Sequence, residues 1–164
     1  VERNESIQLA PMVEEIFTDL TPLAEKSGIT LELTGDGVMT GSDALIYRMI
    51  FNLTENAIKY NRPDGSVQVC ITQEPEKLLI LVSDTGRGIP EEYQQSIFQP
   101  FFRVDKSRSR TFGGAGLGLA LVWEIAALHG GSVRVAESSD SGTTIAAELP
   151  RSGNHAADPK NEML

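Results

Sequence analysis

The sequence predicts an α+β fold, a two-layer sandwich of a mixed, mostly antiparallel sheet with about three helices on one face. Three observations point there. Three long stretches repeat their apolar residues at helical spacing, and the shorter apolar stretches fall mostly into hairpin pairs about tight turns. The 164 residues are enough to bury about 70% of the unfolded surface in one core. Nothing repeats at a solenoid period, so residues 1–150 are expected to form one domain.

Residues 6–10 read as a short strand. A helix over 11–27 follows, with proline in its first turn and Gly28 beyond its end, and Pro22 should bend it. Residues 29–34 and 38–40 read as strands around the turn Gly35-Asp36-Gly37. The second helix starts at Ser42, an N-cap type followed by Asp43, and stops before the breaker run Asn61-Arg62-Pro63-Asp64-Gly65. Residues 67–73 and 78–83 form a hairpin turning at Glu74-Pro75-Glu76-Lys77. Residues 91–98 suit a short helix opened by Pro90. A third long helix over 117–129 ends at Gly130-Gly131, and 132–136 with 143–149 make a second hairpin. From 151 to 164 the chain is polar and patternless, the composition of a disordered tail.

Composition narrows the function. Hydrophobic residues make up 40% and charged residues 23%, an ordinary soluble mixture. No apolar run approaches the ~20 residues of a membrane span, and no signal peptide is visible. A chain starting Val1-Glu2-Arg3-Asn4 without an initiator Met reads as cut from a longer parent. A net charge of -9 argues against a nucleic-acid surface, which needs clustered Lys and Arg. The local exception is RVDKSRSR, where Arg103, Lys106, Arg108 and Arg110 outnumber Asp105 in a loop without periodicity. Such a loop is either a solvated surface or an electrostatic lid over an anion. The single Cys70 sits in strand alternation and is expected as a small core residue. One Cys and two His leave no zinc constellation.

The second helix carries FNLTENAIKYN. At ~100° per residue, Leu45, Ile46, Met49, Ile50, Leu53, Ala57 and Tyr60 fall within an arc of roughly 140°. One flank, about 100° wide, holds Asn52, Glu55, Asn56 and Lys59 at i, i+3, i+4, i+7, with Arg48. A solvent face is the plain explanation. Two Asn one turn apart are poor helix formers, however, and neutral amide oxygens beside a carboxylate and an ammonium suit Mg²⁺ and the phosphates it bridges.

Two glycine clusters follow. The apolar run at 78–82 ends in SDTGRGIP, which places Asp84 at the mouth of a buried strand before Gly86, Gly88 and Ile89. A strand-ending turn explains it; as a functional carboxylate, Asp84 would accept a hydrogen bond from an amino group such as adenine's and repel guanine's oxygen. GGAGLGL, with Gly114, Gly116, Leu117 and Gly118, runs into the third helix, so its N–H groups could converge on phosphate. It is neither a dinucleotide fingerprint nor a P-loop. Ser141-Gly142-Thr143-Thr144 is adequately explained as a hairpin turn.

In this order NLTENAIKY, DTGRGIP, IFQPFFR, GGAGLGL and GTT resemble the N, G1, F, G2 and G3 boxes of the bacterial sensor histidine kinase ATP-binding domain, of the GHKL ATPase superfamily. The resemblance implies a Bergerat-type fold, ATP and Mg²⁺. Asn52 and Asn56 look like the Mg²⁺-associated amides, Lys59 like the phosphate-contacting lysine, Tyr60 like the aromatic border of the nucleotide, and Glu55 like the acid that assists proton removal. Asp84 resembles the adenine-recognising carboxylate, with Gly86, Gly88 and Ile89 around it and Thr143 near the base. Phe98, Phe101 and Phe102 resemble the lid's hydrophobic hinge. Arg103 and Arg110 are candidate charge partners of phosphate or acceptor, and Gly114, Gly116, Leu117 and Gly118 match the phosphate cradle.

The resemblance also implies partners. The γ-phosphoryl group goes to a histidine on a separate dimerisation domain, and a response regulator receives it in turn. His129, at a helix end, and His155, in the tail, lack the acceptor's setting, so the chain is expected to be the catalytic half alone. This piece would be a monomer, cytoplasmic, within a homodimeric membrane sensor. The alternatives are another GHKL ATPase or anti-sigma serine kinase, or a nucleotide-binding interaction module without kinase activity.

Overall fold

The computed structural model describes residues 5–99 and 119–152. Strand β1 (Glu5–Gln8) leads straight into helix α1 (Leu9–Lys26). Strands β2 (Thr30–Gly35) and β3 (Val38–Gly41) precede α2 (Asp43–Lys59), and the hairpin β4 (Ser66–Gln73) and β5 (Lys77–Asp84) follows it. Helix α3 (Ala120–Leu128) and the hairpin β6 (Ser132–Ser139) and β7 (Gly142–Pro150) complete the described elements.

The main sheet has the order β2-β4-β5-β7-β6, with β2 parallel to β4 and the other neighbours antiparallel. On its inner face, Val69 pairs with Val82 and Ile71 with Ile80, while Val82 pairs with Ile145 and Leu78 with Leu149. All of these are buried, as are Val13, Ile16 and Leu20 of α1, Ile46, Met49, Ile50 and Leu53 of α2, and Val122 and Ile125 of α3. The helices thus cover one face of the sheet, and the mixed two-layer α+β architecture matches the expectation.

Several details differ from the sequence reading. Residues flanking the Gly35-Asp36-Gly37 turn enter different sheets, since β3 pairs with β1 in a separate two-stranded ribbon. Helix α1 starts at Leu9 rather than Pro11 because this turn caps it: Leu9 donates its N–H to the Gly37 carbonyl at 2.9 Å and Ala10 to Asp36 Oδ1 at 3.0 Å. Pro11 then sits where no intrahelical N–H is required. The helix runs on through Pro22 to Lys26. In place of a helix over 91–98 stand two 3₁₀ turns, Glu91–Tyr93 and Ser96–Phe98. The segment is too short to sustain an α-helix alone and is held by burying Ile97 and Phe98. Cys70 is half-buried on the outer face rather than in the core, because Val67, Val69 and Ile71 take the inward positions.

The third helix is described from Ala120, after the buried Leu119; residues 117 and 118 lie outside the described residues. Strand β6 continues past Ala136 to Ser139 through a register shift between Val135 and Glu137. Arg151, expected to begin the tail, is tied to the fold: its N–H reaches the Glu76 carbonyl at 3.0 Å, and its own carbonyl accepts from Thr40 at 2.7 Å. Residues 153–164 lie outside the described residues.

Candidate functional site

The second helix ends where β5 ends, and side chains from both line one cleft. Asn56, Ala57 and Tyr60 come from the C-terminal turns of α2 and the residue after it; Asp84, Gly88 and Ile89 come from β5 and its turn; Thr143 comes from β7. Leu53, Val82, Ile145 and Leu119 supply apolar surface. The amphipathic arc of α2 that builds the core therefore continues into the wall of the cleft.

Asp84 is the acid of this cleft. Its Oδ1 accepts the N–H of Gly86 at 2.8 Å and that of Thr143 at 3.1 Å. Its Oδ2 has no hydrogen-bond partner among the described residues, where no buried side-chain oxygen goes unsatisfied, so Oδ2 lies in accessible space. Burial pushes the Asp84 carboxyl above its ordinary range, and the two backbone N–H bonds oppose this. The result is an acceptor fixed in direction by two backbone donors and set among apolar side chains.

Two glycines permit that placement. A Cβ on Gly86 would lie 2.3 Å from the Tyr60 carbonyl oxygen, so the turn can abut the end of α2 only without one. Gly142 has φ +139° and its Cβ would fall 1.9 Å from the Asp84 carbonyl oxygen, so any side chain there would push the β6–β7 turn off β5. The same junction is laced by polar groups. Thr85 Oγ1 donates to Asn61 Oδ1 at 2.8 Å and accepts the Ser66 N–H at 2.9 Å, while Asn61 Nδ2 donates to the Ser66 carbonyl at 2.9 Å.

Of the predicted stripe, Asn56 lines the cleft, whereas Asn52, Glu55 and Lys59 lie along the same flank of α2 outside its lining. Glu55 Oε2 and Lys59 Nζ are 3.9 Å apart, both partly exposed, a pairing worth only a few tenths of a kcal/mol, roughly 0.3–0.5. Among the described residues no cluster of three His, Cys, Asp or Glu could hold a metal ion. Paired amides one helical turn apart fit a different case: Mg²⁺ that arrives with phosphates and keeps most of its water needs few protein oxygens.

Tyr60 borders the cleft, and its phenol is pushed up by burial and by Glu55. Phe98 is buried and packs against Trp123, ring centroids 5.6 Å apart. Phe101, Phe102, Arg103, Arg110, Gly114, Gly116, Leu117 and Gly118 lie outside the described residues. His129 is buried and far from the role of an exposed acceptor, with both ring nitrogens hydrogen-bonded to backbone.

The sequence reading missed some lining residues. Leu53 and Ala57 were legible as helix core but not as cleft. Val82 and Ile145 face each other across β5 and β7, a pairing that no local pattern reveals. Ser138 was missed because β6 was expected to end before it; its Oγ accepts the Ile89 N–H at 2.8 Å and lies 2.8 Å from Thr143 Oγ1.

Known proteins resemble this chain in sequence and in fold. Residues 41–153 match the family described as histidine kinase-, DNA gyrase B- and HSP90-like ATPase. Sensor histidine kinase RppB of Synechocystis sp. is 34% identical over 145 residues, 87% of this chain and 32% of RppB. Sensor-like histidine kinase SenX3 of Mycolicibacterium smegmatis is 35% identical over 149 residues, 89% of this chain and 38% of SenX3. The chain thus spans about a third of the length of these relatives. The solved mycobacterial sensor histidine kinase MprB superposes with a TM-score of 0.77 at 27% identity, covering 92% of this chain and 99% of that one. The catalytic domain of histidine kinase ThkA shares the fold at a TM-score of 0.80 and 24% identity, covering 91% and 96%. The matched stretch contains α2, the Asp84 turn and the β6–β7 hairpin, and the chain belongs to the histidine kinase-, DNA gyrase B- and HSP90-like ATPase family, with sensor histidine kinases among its relatives.

Proposed function

We propose that this chain is the ATP-binding catalytic domain of a two-component sensor histidine kinase, and that it passes the γ-phosphoryl group of ATP to a histidine on a separate dimerisation domain of the same parent. The carrying observation is Asp84, whose Oδ1 is occupied by Gly86 and Thr143 while Oδ2 stays open beside apolar walls. Adenine offers that oxygen an amino donor; guanine offers a carbonyl and is repelled. Tyr60, Gly88, Ile89 and Thr143 border the base.

The stripe on α2 serves the phosphates. Asn52 and Asn56 would hold Mg²⁺, which neutralises phosphate charge when bound. Lys59 contacts phosphate, Glu55 assists loss of the proton from the attacking imidazole, and Arg110 is a charge partner near the transferring group. Gly114, Gly116, Leu117 and Gly118 cradle the phosphate chain, with Phe102 at the lid. A nitrogen of the acceptor imidazole bonds to the γ-phosphorus as the bond to the bridging oxygen breaks, and ADP leaves; positioning and charge neutralisation supply most of the rate.

In this reading residues 1–150 are the catalytic domain, with Arg151 tied to it, and the fragment is a cytoplasmic monomer within a homodimeric membrane sensor that feeds a response regulator. No described helix is long and apolar enough to cross a membrane. The test is labelling with Mg²⁺ and γ-labelled ATP, with and without the parent's dimerisation domain in trans. Acid-labile phosphate should appear on that domain's histidine, slowly, because separation forfeits an effective concentration in the mM range. ATP binding without any transfer would leave a nucleotide-binding interaction module instead.

A further inference from the structure

The β6–β7 hairpin holds a hydroxyl chain whose direction can be read from proton counting. Ser138 and Thr143 are direct partners across the two strands. The register shift between Val135 and Glu137 brings them together: one extra residue reverses which face the following side chains meet, so Ser138 turns inward with Thr143 instead of outward with Arg134.

Ser138 Oγ accepts the Ile89 N–H at 2.8 Å. It shares one further bond, 2.8 Å long, with Thr143 Oγ1. A serine hydroxyl has one proton. If Thr143 donated, the Ser138 proton would have no acceptor among the described residues. If Ser138 donates, its donor and acceptor are both used, and accepting from Ile89 makes it the stronger donor. The Thr143 proton is then left for the cleft that Thr143 lines. Thr143 also gives its N–H to Asp84 Oδ1 at 3.1 Å, so an outgoing hydroxyl donor sits next to the carboxylate acceptor.

We propose that Ser138 is a positioning residue for base selection: it orients the Thr143 hydroxyl as a donor into the cleft and ties the Ile89 wall to the hairpin. This deepens the ATP reading and rests on it. An acceptor beside a donor matches adenine's amino group and adjacent ring nitrogen N1, while guanine carries the opposite pair on that edge.

The test compares ATP with 1-deaza-ATP, in which N1 is replaced by C–H, by calorimetry on the chain and its Ser138→Ala and Ser138→Thr variants. The wild type should prefer ATP by about tenfold, one hydrogen bond's worth. Ser138→Ala should bring the preference close to one, and Ser138→Thr, which keeps the hydroxyl, should retain it. A merely structural serine would weaken both nucleotides alike, so an unchanged ratio in Ser138→Ala overturns the proposal, as does a wild type without preference. A wild type that binds neither nucleotide overturns the ATP reading itself.

Discussion

His129 joins the end of one helix to the start of another: its Nε2 accepts the backbone N–H of Ser42 at 3.1 Å. The other ring nitrogen, Nδ1, lies 2.9 Å from the Ile125 carbonyl within α3. Nε2 must be unprotonated to accept, so the ring is the neutral Nδ1–H tautomer and donates to Ile125. Ser42 in turn caps α2, its Oγ accepting the Leu45 N–H at 3.3 Å. The imidazole therefore holds in place the helix that carries the candidate site.

Replacing that ring should loosen the fold. His129→Ala leaves the Ser42 N–H without its partner and opens a void, which should cost about 2–4 kcal/mol in urea unfolding. Because both nitrogens are occupied and the residue is only 5% exposed, the isolated chain with Mg²⁺ and γ-labelled ATP should accumulate almost no acid-labile phosphate. Stoichiometric self-labelling that disappears in His129→Gln would contradict the structural role.

Asp84→Asn separates stability from recognition. The folded carboxyl keeps its proton to higher pH than the unfolded one, so its stabilising contribution is complete below the ordinary 3.8 and is lost as pH rises through the raised value. At neutral pH a desolvated charge remains, and the amide, which still accepts from Gly86 and Thr143, removes it. Melting temperature should rise at pH 7.5, and the gain should shrink as pH falls into the carboxyl's raised titration range. Preference for ATP over GTP should meanwhile drop roughly tenfold or more, the worth of a charge-assisted hydrogen bond. Undiminished preference would remove Asp84 from base recognition.

For the stripe on α2, Asn56→Ala should reduce Mg²⁺-dependent ATP affinity by about tenfold and affinity measured in chelator much less, since its amide is assigned to the metal. Equal losses in both titrations would show that the residue acts on the nucleotide or the fold directly.

Gly142→Ala tests the junction between β7 and β5. With φ +139° and a Cβ 1.9 Å from the Asp84 carbonyl oxygen, the variant should lose about 1–3 kcal/mol or more of stability. It should also bind ATP more weakly at temperatures where it remains folded, because displacing the turn moves the Thr143 N–H from Asp84. Wild-type affinity in a destabilised variant would uncouple the two.

Period and punctuation determined much of this molecule in advance. The 3.6-residue recurrence from Leu45 to Tyr60 defined both the buried arc and the polar flank of α2, and the turn signals at Glu74-Pro75 and Ser141-Gly142 delimited both hairpins, since these depend on forces between near neighbours in the chain. Asp84 was legible as an acid at a strand end for the same reason. Tertiary structure alone decided the rest. Which sheet β3 joins and why α1 begins before its proline depend on groups that distant segments supply, such as Asp36 for Ala10. The inward turn of Ser138 is the clearest case: a single extra residue in β6 reverses the facing of the strand, and only pairing with β7 shows where that residue is accommodated.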